Sequence, residues 1–293
     1  MSHSMRKIYT YKFALPGILI FSVFFILPTI LGMILSFSNI RGFNINTISF
    51  AGLTNYKNIF TDQSMKTALT NSFLFAIITT AGKMILGMLL AILLNRKVKS
   101  VNILRAIYFL PAIINPVAVG LIFSSLMHPS TGLINKFLNT VGLGFLAQNW
   151  LTDTNLAIFS VIAIEIWKWT GFTMAILLAG MQSISSEYYE AASIDGATPW
   201  QQFRYITVPL LLPSINNTLI ISIIGGLKVF DLIQATTQGG PGSATQVFGT
   251  LIYKAFGSGR LGEGCAAGII LAVIIAAITI PLYRYISGKE VSA

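Results

Sequence analysis

Charge is what this chain of 293 residues has least of: 10% of its side chains are Asp, Glu, Lys or Arg, less than half the roughly 25% of a soluble domain. That shortage, with 54% apolar residues and a mean hydropathy of +0.75, excludes an ordinary water-soluble enzyme. Cysteine is scarcer still. The single thiol, Cys265, lies in an apolar run, so neither an internal disulfide nor a paired-cysteine metal site can form. Of the two histidines, His3 is in the tail and His128 sits beside Pro129. Neither belongs to an H-E-x-x-H, and no G-x-S-x-G occurs. A G-x-x-x-x-G-K-[ST] loop is missing too, because Ile77 stands where Gly82-Lys83 would need its first glycine and Tyr283 where Gly288-Lys289 would. The chain therefore lacks that means of cradling ATP phosphates. Nineteen bases against nine acids give a net charge of +10, yet no basic, aromatic-interleaved stripe of a nucleic-acid binder appears. Internal repeats, low-complexity tracts and Pro-rich linkers are absent as well.

What is present is long apolar runs. Residues 13–37 carry no charge; as a helix they measure about 37 Å, more than the roughly 30 Å hydrocarbon core. Arg6, Lys7 and Lys12 precede the run in the manner of a signal peptide. A cleaved apolar region is shorter, however, at about 7–15 residues, and ends in an A-x-A-like site. Further spans are predicted at 68–94, 106–127, 156–181, 205–224 and 264–286. The expected fold is an all-α membrane protein of six transmembrane helices with both termini on one side.

Lys and Arg resist translocation, so their distribution sets the orientation. With the N-terminus inside, ten of the nineteen bases fall on the cytoplasmic face. The strongest group is Arg96, Lys97, Lys99 and Arg105 in one short loop. N- and C-termini are thus expected in the cytoplasm. The loop 182–204 departs from the pattern, since Glu187, Glu190 and Asp195 outnumber Arg204.

That acidic loop has its own local grammar. Ser186 is expected to cap a helix with Glu187 and Glu190 in its first turn, where the helix dipole favours carboxylates. Gly196 is expected to end it in the left-handed conformation. Thr198, Pro199 and Gln201 then form a T-P-x-Q capping box opening a second helix. Ala191 and Ala192 leave one stripe nearly flush, while Tyr188, Tyr189 and Trp200 are anchors of the kind enriched at interfaces. Two readings are open on physical grounds: a docking element for another protein, or an interfacial helix with its aromatics at headgroup depth.

The spacing Glu190-Ala191-Ala192, Gly196, Ile206, Val208 and Pro209 resembles the EAA motif, EAA-x3-G-x9-I-x-L-P, of the membrane subunits of binding-protein-dependent ABC importers. Only Val208, in place of Leu, departs from it. A second stretch, Phe230-Asp231 followed by Thr237-Gln238-Gly239-Gly240-Pro241-Gly242 and Tyr253-Lys254-Ala255-Phe256, is similar to sugar permeases of the maltose and glycerol-phosphate permease group. The Gly-Gly-Pro-Gly run cannot continue a helix.

The resemblance implies a type I ABC importer transmembrane domain and a division into residues 1–67, a permease core at 68–286 and a tail at 287–293. It also implies a homologous permease partner forming a heterodimer, two ATP-binding subunits that hold the ATP and Mg, and an extracellular solute-binding protein. The substrate is expected to be a sugar, an oligosaccharide, moved into the cytoplasm by alternating access across the inner membrane. No catalytic residue or metal site is expected in this chain. On this resemblance Glu190, Ala191, Ala192 and Gly196 contact the ATPase, with Asp195 and Arg204 in the same loop; Arg204 has Glu190 and Asp195 within reach as ion-pair partners.

Charges inside spans are costly and functional by default, which singles out Lys83, Glu165 and Lys168. Glu165 and Lys168 stand at i, i+3 and are placed to neutralise each other; Lys83 faces either Glu165 or a water-filled path. Sugar sites combine an aromatic face with polar groups. The resemblance accordingly transfers substrate contact to Trp169, Gly171, Phe172, Met174, Lys228, Phe230, Asp231 and Gln234, with packing as the competing role and Trp167 a further aromatic on the same helix. A cation at Lys228 suits an anionic sugar such as a uronate, unless Asp231 at i+3 pairs with it. The rival classes are a membrane-embedded enzyme, for which Glu165 as sole intramembrane carboxylate leaves no acid/base dyad, and an ATP-independent secondary transporter, for which no inverted halves are visible.

Overall fold

The computed structural model describes residues 14–42, 48–95 and 100–289. The basic residues Arg6, Lys7, Lys12, Arg96, Lys97 and Lys99 lie outside the described residues. In chain order the helices are α1 (Leu15–Ser36), α2 (Thr54–Thr61), α3 (Gln63–Leu94), α4 (Val101–Ile113), α5 (Pro116–Leu126), α6 (Leu133–Thr140) and α7 (Ala157–Gln182). They continue with α8 (Ser186–Ile194), α9 (Pro199–Leu210), α10 (Leu212–Leu227), α11 (Asp231–Thr236), α12 (Phe248–Gly257) and α13 (Leu261–Ser287).

Four of these, α1, α3, α7 and α13, are long and apolar enough to cross a bilayer unaided. The third and fifth predicted spans are not single rods. The third divides into α4 and α5, which meet at 94°, and the fifth into α9 and α10, which meet at 66°. Taken as bent spans, the pairs bring the number of crossings to six. Proline explains both bends. Pro116 has no N–H to offer the carbonyl of Ala112, and Pro213 none to offer that of Pro209, so the i→i−4 ladder is interrupted where each helix breaks. Asn115 caps the restart, its side-chain oxygen accepting from Val117 N at 2.8 Å.

The chain divides into two units. In the smaller, formed by residues up to Asp62 with Ile252–Ile270, Asn55 Nδ2 donates to the carbonyls of Ser36 and Ser38, 2.8 Å each, tying α2 to the end of α1. Arg260 and Glu263 pair at 2.9 Å. In the larger unit, α3 and α7 are central and α4, α10 and α11 pack around them. One apolar cluster gathers Phe75, Val161, Ile164, Leu232 and Ile233; a second gathers Ala91, Leu94, Met174, Leu177 and Leu211. Without a hydrophobic drive in lipid, helices associate through close packing at small residues. Gly171 is such a point: a Cβ there would run into the carbonyl of Tyr108, a backbone atom on α4.

Candidate functional site: a helix-lined cavity and an acidic loop

The larger unit holds a cavity of about 420 Å³ that is open on one side. Lys83 of α3, Glu165, Trp169, Phe172 and Thr173 of α7, Ser222, Gly225 and Lys228 from the end of α10, and Phe230 and Asp231 at the start of α11 line it. Seven residues singled out from the sequence thus converge on one space. The helical period explains the α7 contribution: Glu165, Trp169, Phe172 and Thr173 recur at spacings of three and four and share one face. Trp169 and Phe172 meet edge to face, centroids 5.8 Å apart at 84°. The period also identifies Thr173, absent from the predicted set. Ser222 and Gly225 carried no local signal; they reach the cavity because α10 ends beside it.

Gly171 and Met174, expected at the same place, do not line the cavity. Gly171 serves the close approach of α4, and Met174, 1% exposed, belongs to the second apolar cluster. Each lies off the cavity-facing stripe of α7. Trp167 packs on Phe123, centroids 5.2 Å apart, and Gln234 is half-buried with its Oε1 unpartnered, both away from the cavity lining.

The buried charges sort differently from the pairing that sequence spacing allows. Glu165 Oε1 lies 3.9 Å from Lys83 Nζ, and both side chains are buried. Lys168, 1% exposed, instead donates from Nζ to the carbonyls of Ala112 at 3.1 Å and Pro111 at 3.4 Å. Its ammonium also sits 4.4 Å from the centroid of the Trp169 ring. The i, i+3 pair of Lys228 and Asp231 does not form; both side chains are exposed, and neither belongs to an ion pair among the described residues.

The glycine-proline run closes as a turn. Gly239 and Gly242 take positive φ values of 86° and 60°, and Thr245 Oγ1 donates to the Gly240 carbonyl at 2.7 Å.

The acidic loop folds as two short helices around an elbow. Gly196 has φ +78°, the left-handed conformation its position demands. The Thr198–Gln201 capping box is complete. At the first helix the cap is one residue earlier than expected: Ser185, not Ser186, accepts from Glu187 N, at 3.3 Å. Starting α8 at Ser186 leaves Glu187 in its first turn and puts Glu190 beyond it. Gln202 Nε2 donates to Ser193 Oγ at 2.9 Å, and the hydroxyls of Tyr189 and Thr207 meet at 2.9 Å, fastening one helix to the other. Glu190, Ala191, Asp195, Gly196 and Arg204 are exposed and Ala192 is half-buried; Arg204 pairs with neither Glu190 nor Asp195 among the described residues. Ile194 is 87% and Trp200 66% exposed, so the elbow presents apolar surface beside its carboxylates.

Comparison with known proteins supplies the context. The family described as "Binding-protein-dependent transport system inner membrane component" matches residues 83–287. A probable ABC transporter permease of Pyrococcus horikoshii is 34% identical, covering 96% of this chain and 97% of its own. The arabinooligosaccharides transport system permease AraP of Bacillus subtilis is 34% identical, over 94% and 87%. A solved structure of a bacterial ABC transporter that imports the acidic polysaccharide alginate superposes with a TM-score of 0.82 and 27% identity, covering 94% of each chain. A fold shared over that length makes this a multi-pass, type I importer transmembrane domain. The chain belongs to the inner-membrane components of binding-protein-dependent transport systems and is a permease subunit of an ABC importer.

Proposed function

We propose that this permease carries an anionic oligosaccharide, handed over by an extracellular binding protein, into the cytoplasm, and that the cavity is a station on its path. The observation carrying this reading is the convergence on one cavity of an edge-to-face aromatic pair, Trp169 and Phe172, with Lys228, which has no ion-pair partner among the described residues. An aromatic wall suits the apolar face of a sugar ring, and a free cation suits a carboxylate. A volume of about 420 Å³ admits part of a chain at a time rather than a long polymer. The acidic polysaccharide imported by one similar transporter supports the charge, and the arabinooligosaccharides of another, which are neutral, support the oligosaccharide alone.

In this reading residues 68–286 form the permease core after an N-terminal region at 1–67 and before a tail at 287–293. Both termini are cytoplasmic, the second permease is a homologous but different chain, and two ATPases bind from the cytoplasm. The acidic loop docks on one of them through Glu190, Ala191, Ala192 and Gly196, with Asp195 and Arg204 at the margin. Exposed Ile194 and Trp200 favour docking over a purely interfacial helix, because carboxylates lie within the same patch.

The test is uptake by proteoliposomes containing both permeases, the ATPases and the binding protein. Lys228→Gln is expected to raise KM about tenfold for a uronate oligosaccharide, the loss of one charge-assisted contact, and to leave a neutral oligosaccharide within about twofold. Equal effects on both would remove the charge argument. Glu190→Lys and Gly196→Pro are each expected to abolish ATP-driven uptake while the subunit still inserts; parental uptake by either defeats the docking assignment.

A further inference from the structure

Among the buried charges, Lys168 has no role in the reading above. It is an ammonium with 1% exposure, it leaves Glu165 to Lys83, and it spends its hydrogen bonds on backbone. The identity of that backbone matters. Ala112 stands four residues before Pro116, so in a continuing helix its carbonyl would face a ring nitrogen without a proton. Pro111 accepts from Ile114 N at 3.3 Å in the last turn of α4 and still receives Lys168 at 3.4 Å. These are the terminal carbonyls of a helix that ends within a bent span, where the backbone ladder offers no further donor and the negative end of the helix dipole falls. Lys168 supplies both the donor and the countercharge. The same ammonium lies over the ring of Trp169, and Trp169 forms the cavity wall with Phe172. One side chain thus joins the break in the third span to the surface proposed to meet substrate. Across that break, Pro116 at the first position of α5 also lines the cavity.

We propose that Lys168 is a positioning residue: it holds the broken end of α4 against α7 and thereby fixes the α4–α5 angle and the Trp169 wall of the transport cavity. The second half of the proposal rests on the reading of that cavity as the substrate path; the first half does not.

The test uses the assembled transporter in proteoliposomes. With the native Cys265→Ala, spin labels are placed through Leu110→Cys on α4 and Leu121→Cys on α5, both exposed positions. In the parent the label–label distance distribution is expected to be narrow. Lys168→Met, which keeps the bulk and removes the donor, is expected to broaden it and to raise the KM for sugar uptake about tenfold through misplaced aromatics. Lys168→Arg, whose fork can reach both carbonyls, is expected to restore the narrow distribution and bring KM within about threefold of the parent. If the methionine variant does not assemble, Lys168→Gln, a neutral donor, is expected to give an intermediate width. A distribution as narrow in Lys168→Met as in the parent overturns the proposal. A broadened distribution with unchanged KM upholds the hold on α4 and overturns its link to the Trp169 wall. The distance measurement needs no substrate, so a parent that moves no sugar would sink the cavity reading and leave the α4–α5 assignment to be decided on its own.

Discussion

The acidic loop and the buried charge cluster belong to the same unit of the chain and are held in opposite ways. The loop is assembled from partners within a few positions of one another: Ser185 with Glu187, Thr198 with Gln201, Ser193 with Gln202, and at most 18 residues between Tyr189 and Thr207. Its charges face water and make no ion pairs with each other. The cluster joins residues far apart, Lys83 to Glu165 and Lys168 to Ala112, the latter across 56 positions, and all three charged side chains are buried. Solvated charges cost little to keep and little to lose. Buried charges are costly to keep, and removing one partner is costlier still because it strands the other. The loop can therefore change its charges at little cost in stability, as the proposed docking role requires, while changes in the cluster register first as stability.

The largest effect should follow from Glu165→Gln, which leaves Lys83 buried without its counter-charge. A loss of about 3–5 kcal/mol is expected, the scale measured for broken buried pairs. It would be read as a lower temperature at which the detergent-solubilised permease complex loses its monodisperse elution peak. Replacing both partners, Lys83→Met with Glu165→Met, should recover most of the loss, since neither residue then needs compensation. A single variant as stable as the parent would mean that water solvates the pair through the cavity it lines, and the contrast with the loop would collapse.

A smaller effect is expected at Gly171, which tests packing without touching charge. Gly171→Ala places a methyl against the Tyr108 carbonyl, and because the obstacle is backbone, α4 must shift rather than a side chain rotate. About 1–3 kcal/mol is the usual cost of such overpacking. The same thermal assay checks it; a neutral result would show that α4 and α7 separate freely at this point.

How much of each region could be read in advance follows from the same difference of range. The loop was legible almost to the residue, because capping boxes and left-handed glycines are short-range devices written in consecutive letters. The cap falls on Ser185 and not Ser186 because two adjacent serines offer equivalent caps and only the backbone path selects between them, which also moves Glu190 out of the first turn. The Arg204 ion pair, which does not form among the described residues, is a long-side-chain contact that spacing alone does not decide. The spans are legible by hydropathy, but hydropathy averages over a window and does not register the 94° break between α4 and α5, whose cause is the missing N–H of Pro116. The cavity was half legible. Residue type and the family resemblance together point to Lys83, Glu165, Trp169, Phe172, Lys228, Phe230 and Asp231, which line the cavity, while Gly171, Met174 and Gln234, transferred by the same resemblance, do not line it. The partner of Lys168 was beyond reach, since it is a carbonyl on another helix, and a carbonyl carries no residue-type signature.

The smallest expected effect is the sharpest test of the comparison. Thr198 caps the second helix of the loop by accepting at its hydroxyl from Gln201 N, at 3.4 Å, while Thr198 N donates in return to Gln201 Oε1 at 2.7 Å. Thr198→Ala removes the hydroxyl and leaves the return bond, so about 1 kcal/mol of local helix stability should be lost. Because the cap's partners all lie within the loop, that loss should appear as faster amide exchange over residues 198–204 and nowhere in the spans, with the thermal midpoint of the complex unchanged. Uptake should fall only modestly, since Glu190, Gly196 and the Tyr189–Thr207 contact remain in place. If Thr198→Ala instead lowered the midpoint as far as Glu165→Gln, the loop would be coupled to the bundle as tightly as the buried charges are. The distinction between a locally folded loop and a long-range structural cluster would then have to be given up.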